Sequence, residues 1–215
     1  MAQEPGTSVP FEQENVRGFL HLPSRGAERG LVLTHGAGGN CGSPLLAAVA
    51  EAFCSEGIGV LRCDLPFRQK RPRGPPSPGM AAADRAGLRS AAQAMRAFAP
   101  GKIYLGGLSY GGRQASMLAE EPGVAEALLL LSYPLHPPGK PDQSRTGHFP
   151  QIHVPAIFVH GTSDPFGTTG ELELAMSMIP ATTRFIPVQG AGHELKHGRF
   201  DLQAIVIALL ETDRR

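Results

Sequence analysis

The chain is expected to adopt an α/β fold, with a mainly parallel central sheet flanked by helices on both faces. Three observations predict this. From residue 31 to the end, short apolar runs closing in glycine-rich or polar turns alternate with segments of helical periodicity. Such alternation is the pattern of strand–helix–strand crossovers, which are right-handed. Second, Ala127-Leu-Leu-Leu-Leu131 and Ala156-Ile-Phe-Val159 are continuously apolar, as strands buried on both faces must be. Third, the polar residues of chemical interest fall at the carboxyl ends of predicted strands, where open parallel sheets bind ligands.

Val16 to Leu22 alternates well enough for an antiparallel strand near a sheet edge, and Leu31-Val-Leu-Thr34 is the first buried strand. Ser43-Pro44 offers an N-cap with proline at the first helical position. Leu45, Leu46, Val49 and Phe53 follow at helical spacing, and Gly57 can close that helix. Ile58 to Cys63 is the next strand. The segment from Arg68 to Gly79 carries prolines at 72, 75, 76 and 78, which excludes a helix or a central strand. Its Arg68, Lys70, Arg71 and Arg73 form either a solvated loop or a basic lip that attracts an anion.

Met80 to Ala99 puts Leu88, Ala91, Ala92, Met95 and Phe98 on one helical face. A strand at Lys102–Leu105 and a helix reaching about Glu121 flank the glycine-rich turn between them. Tyr133 to Pro150 holds prolines at 134, 137, 138, 141 and 150 and reads as an irregular connection. Beyond the strand at Ala156, Thr168 or Thr169 can cap a helix carrying Leu172, Ala175, Met176 and Ile179. Thr183 to Val188 is the last strand, and a terminal helix from about Gly198 carries Phe200, Ile205 and Leu209. No linker separates two domains, so one domain over residues 1–215 is expected.

A balance of 20 Lys+Arg against 19 Asp+Glu gives no reason to expect nucleic acid or an anionic membrane as partner. No apolar run approaches ~20 residues, so no membrane span is expected. The opening Met1-Ala-Gln-Glu-Pro-Gly-Thr-Ser lacks the basic and apolar regions of a secretory signal. Cys41, Cys54 and Cys63 are odd in number and without metal-ligand spacing, which points to a reducing, cytoplasmic setting. No metal and no cofactor is called for.

The chemistry centres on Gly107-Leu-Ser-Tyr-Gly111, a G-x-S-x-G between a strand and a helix. A serine on such a turn has a strained backbone and a hydroxyl pushed clear of the sheet. With 27 Gly in 215 residues the motif alone is a weak signal. Its weight comes from the other strand-end loops. Ser109 needs a base, and the base needs an acid to hold its tautomer. Asp164 follows a buried strand, and His193 lies in a glycine-bounded loop after the last strand. The order Ser109, Asp164, His193 leaves room for a crossover helix in each interval. His197 is the rival base.

Donors for an oxyanion are the N–H groups of Tyr110 and of Ala37 in His35-Gly-Ala-Gly-Gly39. That loop could instead cradle phosphate, although it lacks both common phosphate-loop spacings. His35, Gly36 and His160 are candidates for supporting the loops. Arg113, a cation in the first turn of a helix, opposes the macrodipole. It is expected either to pair with an acid such as Asp64 or to meet a substrate anion.

Taken in order, His35-Gly-Ala-Gly-Gly, Gly107-Leu-Ser-Tyr-Gly-Gly, His160-Gly-Thr-Ser-Asp-Pro and Gly190-Ala-Gly-His resemble the stations of the α/β-hydrolase superfamily. Within it the chain looks most like small proteins related to dienelactone hydrolases. The likeness extends to a sparsely characterised branch with a testis-expressed protein and a subunit of a histone-acetyltransferase complex. The resemblance implies a serine hydrolase acting on a small acyl substrate, with Ser109 as nucleophile, Asp164 as acid and His193 as base. Dienelactone hydrolases themselves use a cysteine nucleophile, so their substrate does not carry over. Only the proline-rich stretch stands where a cap domain would be, which implies a lightly covered site. The branch's link to chromatin leaves a second reading, an idle fold serving as an interaction module.

Overall fold

The computed structural model describes residues 7–196 and 200–214. Eight strands form one sheet: β1 (Thr7–Gln13), β2 (Val16–Leu22), β3 (Arg29–Thr34), β4 (Ile58–Cys63), β5 (Ile103–Leu108), β6 (Ala127–Leu131), β7 (Ala156–Gly161) and β8 (Thr183–Val188). Their order across the sheet is β1-β2-β4-β3-β5-β6-β7-β8. The six strands from β3 onward run parallel, while β2 is antiparallel to both β1 and β4. This is the α/β-hydrolase fold.

The helices are α1 (Pro44–Ser55), α2 (Pro66–Lys70), α3 (Ala81–Met95), α4 (Tyr110–Leu118), α5 (Thr169–Met176) and α6 (Leu202–Leu210). Successive strand residues point to opposite faces, and the two faces have separate cores. Ile103 and Leu105 of β5 with Leu128 and Leu130 of β6 meet α3, α4 and α5 through Leu88, Met95, Leu118 and Leu172. Tyr104, Leu129 and Leu131 face the other way, onto Leu46 and Phe53 of α1 and Ile205 and Leu209 of α6. Coverage on both faces is why β6 is buried along its whole length.

The strand at Val16 is antiparallel and near the sheet edge as expected, one place in because β1 pairs outside it through a hairpin. Three expectations need correction. Part of the proline-rich segment is helical: α2 takes Pro66 at its first turn, and a 3-10 turn spans Pro78–Met80. Ser43 precedes α1 but makes no side-chain cap bond, whereas Thr168 caps α5 in a reciprocal box with Glu171. The last helix begins at Leu202, capped by Asp201; Gly198 lies outside the described residues. Among the described residues no helix is long and apolar enough to cross a membrane.

Candidate active site

Ser109 sits between β5 and α4 with φ 52° and ψ −115°, a region that side-chain-bearing residues rarely occupy. Close packing of the turn explains its glycines. A Cβ on Gly107 would lie 2.7 Å from the Thr34 carbonyl oxygen, and one on Gly111 2.6 Å from that of His35. The Ser109 N–H donates to the Leu131 carbonyl at 2.8 Å, tying the turn to the end of β6.

His193, in the turn after β8, accepts from the Ser109 hydroxyl at Nε2 (2.7 Å). Its other nitrogen, Nδ1, lies 2.8 Å from Oδ2 and 3.0 Å from Oδ1 of Asp164. A carboxylate only accepts, so Nδ1 carries the proton and Nε2 turns its lone pair to the serine. The Asp164 side chain is fully buried, while that of His193 is 18% exposed. Asp164 Oδ1 also accepts from the Phe166 N–H at 2.9 Å. His160, buried, donates from Nε2 to the Gly167 carbonyl at 2.9 Å and stands 3.7 Å from Asp164 Oδ2. It thus supports the Asp164 turn. The rival base His197 lies outside the described residues.

The loop after β3 faces this group. Among the described residues the N–H groups of Ala37 and Tyr110 make no hydrogen bond within the protein. For Tyr110 this follows from its place at the first position of α4, where helical amides lack a partner. His35 is buried; its Nδ1–H donates to the Gly36 carbonyl at 2.8 Å, and its Nε2 accepts from the Leu65 N–H at 3.2 Å. Burial lowers the His35 pKa, with Gly36 and Asp64 pulling the other way, so the ring stays neutral and holds both bonds. His35 and Gly36 therefore shape the loop.

Three further groups pin the same loop. Arg68, only 5% exposed, donates from Nη2 to the Ala37 carbonyl (2.9 Å) and from Nε to that of Gly39 (2.7 Å). It also reaches the carbonyls of Gly74 and Arg71. Arg62 donates to the Cys41 carbonyl at 2.5 Å, and Asp64 Oδ1 accepts from the Cys41 N–H at 2.7 Å. Two expectations change here. The first cation of the proline-rich segment points inward as a brace, leaving Lys70, Arg71 and Arg73 as the exposed ones. Asp64 is committed to the Cys41 N–H and does not pair with Arg113. Burial raises the Cys41 thiol to about 12, so it stays protonated as a small loop residue.

Ser109, His193, Ala37 and Tyr110 share a cavity of about 990 Å³ with Arg113 and Arg145. The connection between β6 and β7 is anchored away from it. Phe149 packs on Tyr133 with ring centroids 5.1 Å apart, and the Tyr133 hydroxyl donates to the Arg145 carbonyl at 2.9 Å. Only Pro134 and Arg145 of that connection reach the cavity wall. Among the described residues no group of three or more His, Cys, Asp or Glu is arranged to hold a metal ion.

Sequence reasoning missed three participants. Phe166 stacks on the His193 ring, with centroids 4.0 Å apart and planes 27° from parallel. The Tyr110 hydroxyl donates to buried Asp84 at 2.7 Å, and the same carboxylate accepts from the Phe67 N–H, which ties α4 to α3 and α2. Arg68 is the third. Phe166, two residues after Asp164 in the same turn, was the one a closer look at that turn could have found.

Known proteins place this frame. Similar solved structures include a dienelactone hydrolase from Anabaena variabilis, at 21% identity and a TM-score of 0.71, covering 99% of this chain and 97% of that one. The Est1E protein of Butyrivibrio proteoclasticus, with ferulic acid bound, superposes at a TM-score of 0.75 and 16% identity, over 96% of this chain and all (100%) of that one. An esterase domain from Rhodothermus marinus matches at 18% identity and a TM-score of 0.69, over 97% and 98% of the two chains. At these identities the likeness is one of fold. A family model described as an alpha/beta hydrolase domain matches residues 27–203, and the chain belongs to that family.

Proposed function

We propose that the protein is a serine hydrolase that cleaves an ester or thioester through an acyl-serine intermediate. The observation that carries this reading is the hydrogen-bonded chain from Ser109 Oγ through His193 to the buried carboxylate of Asp164. In the proposed cycle His193 Nε2 takes the Ser109 proton as Oγ bonds to the substrate carbonyl carbon. The carbonyl oxygen becomes an oxyanion, received by the N–H groups of Ala37 and Tyr110; one such donor is typically worth roughly 2.7–4 kcal/mol. Asp164 stabilises the imidazolium and holds its orientation. Collapse of the tetrahedral intermediate breaks the bond to the leaving oxygen or sulfur, which receives the proton from His193. Water, deprotonated by the same nitrogen, then attacks the acyl-serine; the acid departs and Ser109 regains its proton.

The strained turn supports this reading, because a φ of 52° costs stability and a solvent-facing structural serine has no need of it. The kinship with dienelactone-hydrolase-like proteins and the branch described above belongs to the same reading. So does the competing interaction module, which rests on that branch's link to chromatin. A fluorophosphonate probe should label the native protein and spare Ser109→Ala. Equal labelling of the two proteins would sink the proposal, and absence of both labelling and ester turnover would favour the module.

A further inference from the structure

We propose that Arg113 and Arg145 form a receptor for a carboxylate carried by the substrate, so that the preferred substrates are anionic esters or thioesters. The inference rests on the reading of Ser109 as nucleophile. The two arginines reach the cavity from different elements, Arg113 from the first turn of α4 and Arg145 from the connection between β6 and β7. Arg113 stands one helical turn, ~5.4 Å, beyond the serine; its N–H donates to the Ser109 carbonyl at 2.9 Å. An anion between the guanidinium groups is therefore a short hydrocarbon arm from the reacting carbonyl.

The protein leaves these cations uncompensated. Among the described residues neither belongs to an ion pair, and Arg113 Nε is buried with no hydrogen-bond acceptor. Glu194, the acidic residue on the cavity rim, is engaged by Lys196. The Tyr133 hydroxyl donates to the Arg145 main-chain carbonyl and leaves its oxygen toward Arg113, and burial keeps it protonated, so it supplies no counter-charge. Burial, and then the charge of Arg113, lower the Arg145 pKa. His148, which shares a 2.8 Å bond with Ser116 on α4, is lowered to about 4 by burial and then by Arg113 and Arg85, so it stays neutral beside them. Arg113 also stands at the positive end of α4, an unfavourable place for a cation. Repulsion between two guanidinium groups, an unused buried donor and an opposed helix dipole are all relieved by one anion. Leu45, Leu108 and Pro134 supply apolar wall for the arm that carries it. Two planar guanidinium forks suit carboxylate and phosphate alike. We assign carboxylate, and the test separates the two.

The wild-type protein is assayed on p-nitrophenyl hydrogen adipate against p-nitrophenyl hexanoate, and on 4-acetoxybenzoate against phenyl acetate. The pairs put the carboxylate on the acyl and the leaving side respectively. At least one anionic member should have the higher kcat/KM. In both Arg113→Gln and Arg145→Gln that preference should fall by roughly ten- to hundred-fold, the worth of a hydrogen bond to a charged group. Arg73→Gln, on the exposed loop, should keep it. Calorimetry on Ser109→Ala should detect adipate, and adding Arg113→Gln should abolish that binding. No anionic preference together with no adipate binding overturns the receptor, and inorganic phosphate binding more tightly than adipate overturns the carboxylate assignment. Fluorophosphonate labelling read in parallel keeps the two claims apart. Labelling with neither anion preference nor adipate binding defeats the receptor alone, whereas adipate binding without labelling defeats the acyl-serine reading alone.

Discussion

Replacing Arg68 with Met should damage both stability and turnover, although Arg68 touches neither Ser109 nor the cavity's reacting atoms. Its guanidinium spans four main-chain carbonyls, of Ala37, Gly39, Arg71 and Gly74. Arg71 and Gly74 are exposed, so water can replace those two bonds. The bonds to Ala37 and Gly39 are the costly ones. At about 1.5–3 kcal/mol each for a hydrogen bond to a charged group, and allowing for relaxation of the loop, the variant should lose roughly 3 kcal/mol of stability. The effect on turnover has a separate ceiling. If the loop relaxes far enough to withdraw the Ala37 N–H, the loss approaches that of one oxyanion donor, roughly 10²–10³ in kcat. Arg68→Lys keeps the charge without the planar fork and should fall between Met and wild type. Urea denaturation gives the stability and p-nitrophenyl hexanoate turnover gives kcat. A variant that loses stability but keeps full kcat would refute the idea that Arg68 sets the position of the oxyanion loop.

Three further predictions follow from the site. Asp164→Asn should leave the protein folded and reduce kcat by roughly 10⁴, as loss of the tautomer-holding carboxylate does in serine proteases; steady-state ester kinetics checks it. Phe166→Ala removes the ring stacked on His193. An aromatic pair is worth about 0.5–1.5 kcal/mol, so kcat should drop roughly two- to tenfold with little change in KM. Stability should fall as pH is lowered from 6.5 toward 4. His21 and His148 are both held down to about 4, by burial first and then by neighbouring arginines. Above 6.5 the folded and unfolded chains bind these protons equally, whereas below it only the unfolded chain takes them up, which favours unfolding. Urea midpoints measured across that range should decline, and His148→Gln should flatten the slope.

Much of this architecture was legible because burial on two faces leaves a direct mark on sequence. The apolar runs of β6 and β7 could belong only to interior strands, and Ser109, Asp164 and His193 each lay in a turn just after a strand's carboxyl end. What escaped had weaker marks. β1 is an edge strand with Pro10 in it, and it joins β2 through Glu14 and Asn15 with Glu14 at φ 50°, without the Asn-Gly signal of a tight hairpin. Its seven residues look like a polar tail until a partner strand is in view. The prolines that announced a loop after Asp64 also concealed α2, since proline is tolerated in a helix's first turn. The charges were legible, but their directions were not. Pairing with Asp64 was one of two expectations for Arg113, yet Asp64 holds the loop after β3 through Cys41 and Arg113 faces the cavity from α4. Arg68 and Arg71 look alike in a basic run, and only the fold turns the first inward.

The central claim, that acyl groups pass through Ser109, is open to one direct measurement. The protein is acid-quenched while turning over p-nitrophenyl hexanoate and mapped by peptide mass spectrometry. The account predicts a hexanoyl adduct on the peptide containing Ser109, accumulating in wild type and absent from Ser109→Ala. Ester turnover with no adduct on that peptide, or with turnover retained by Ser109→Ala, would contradict it.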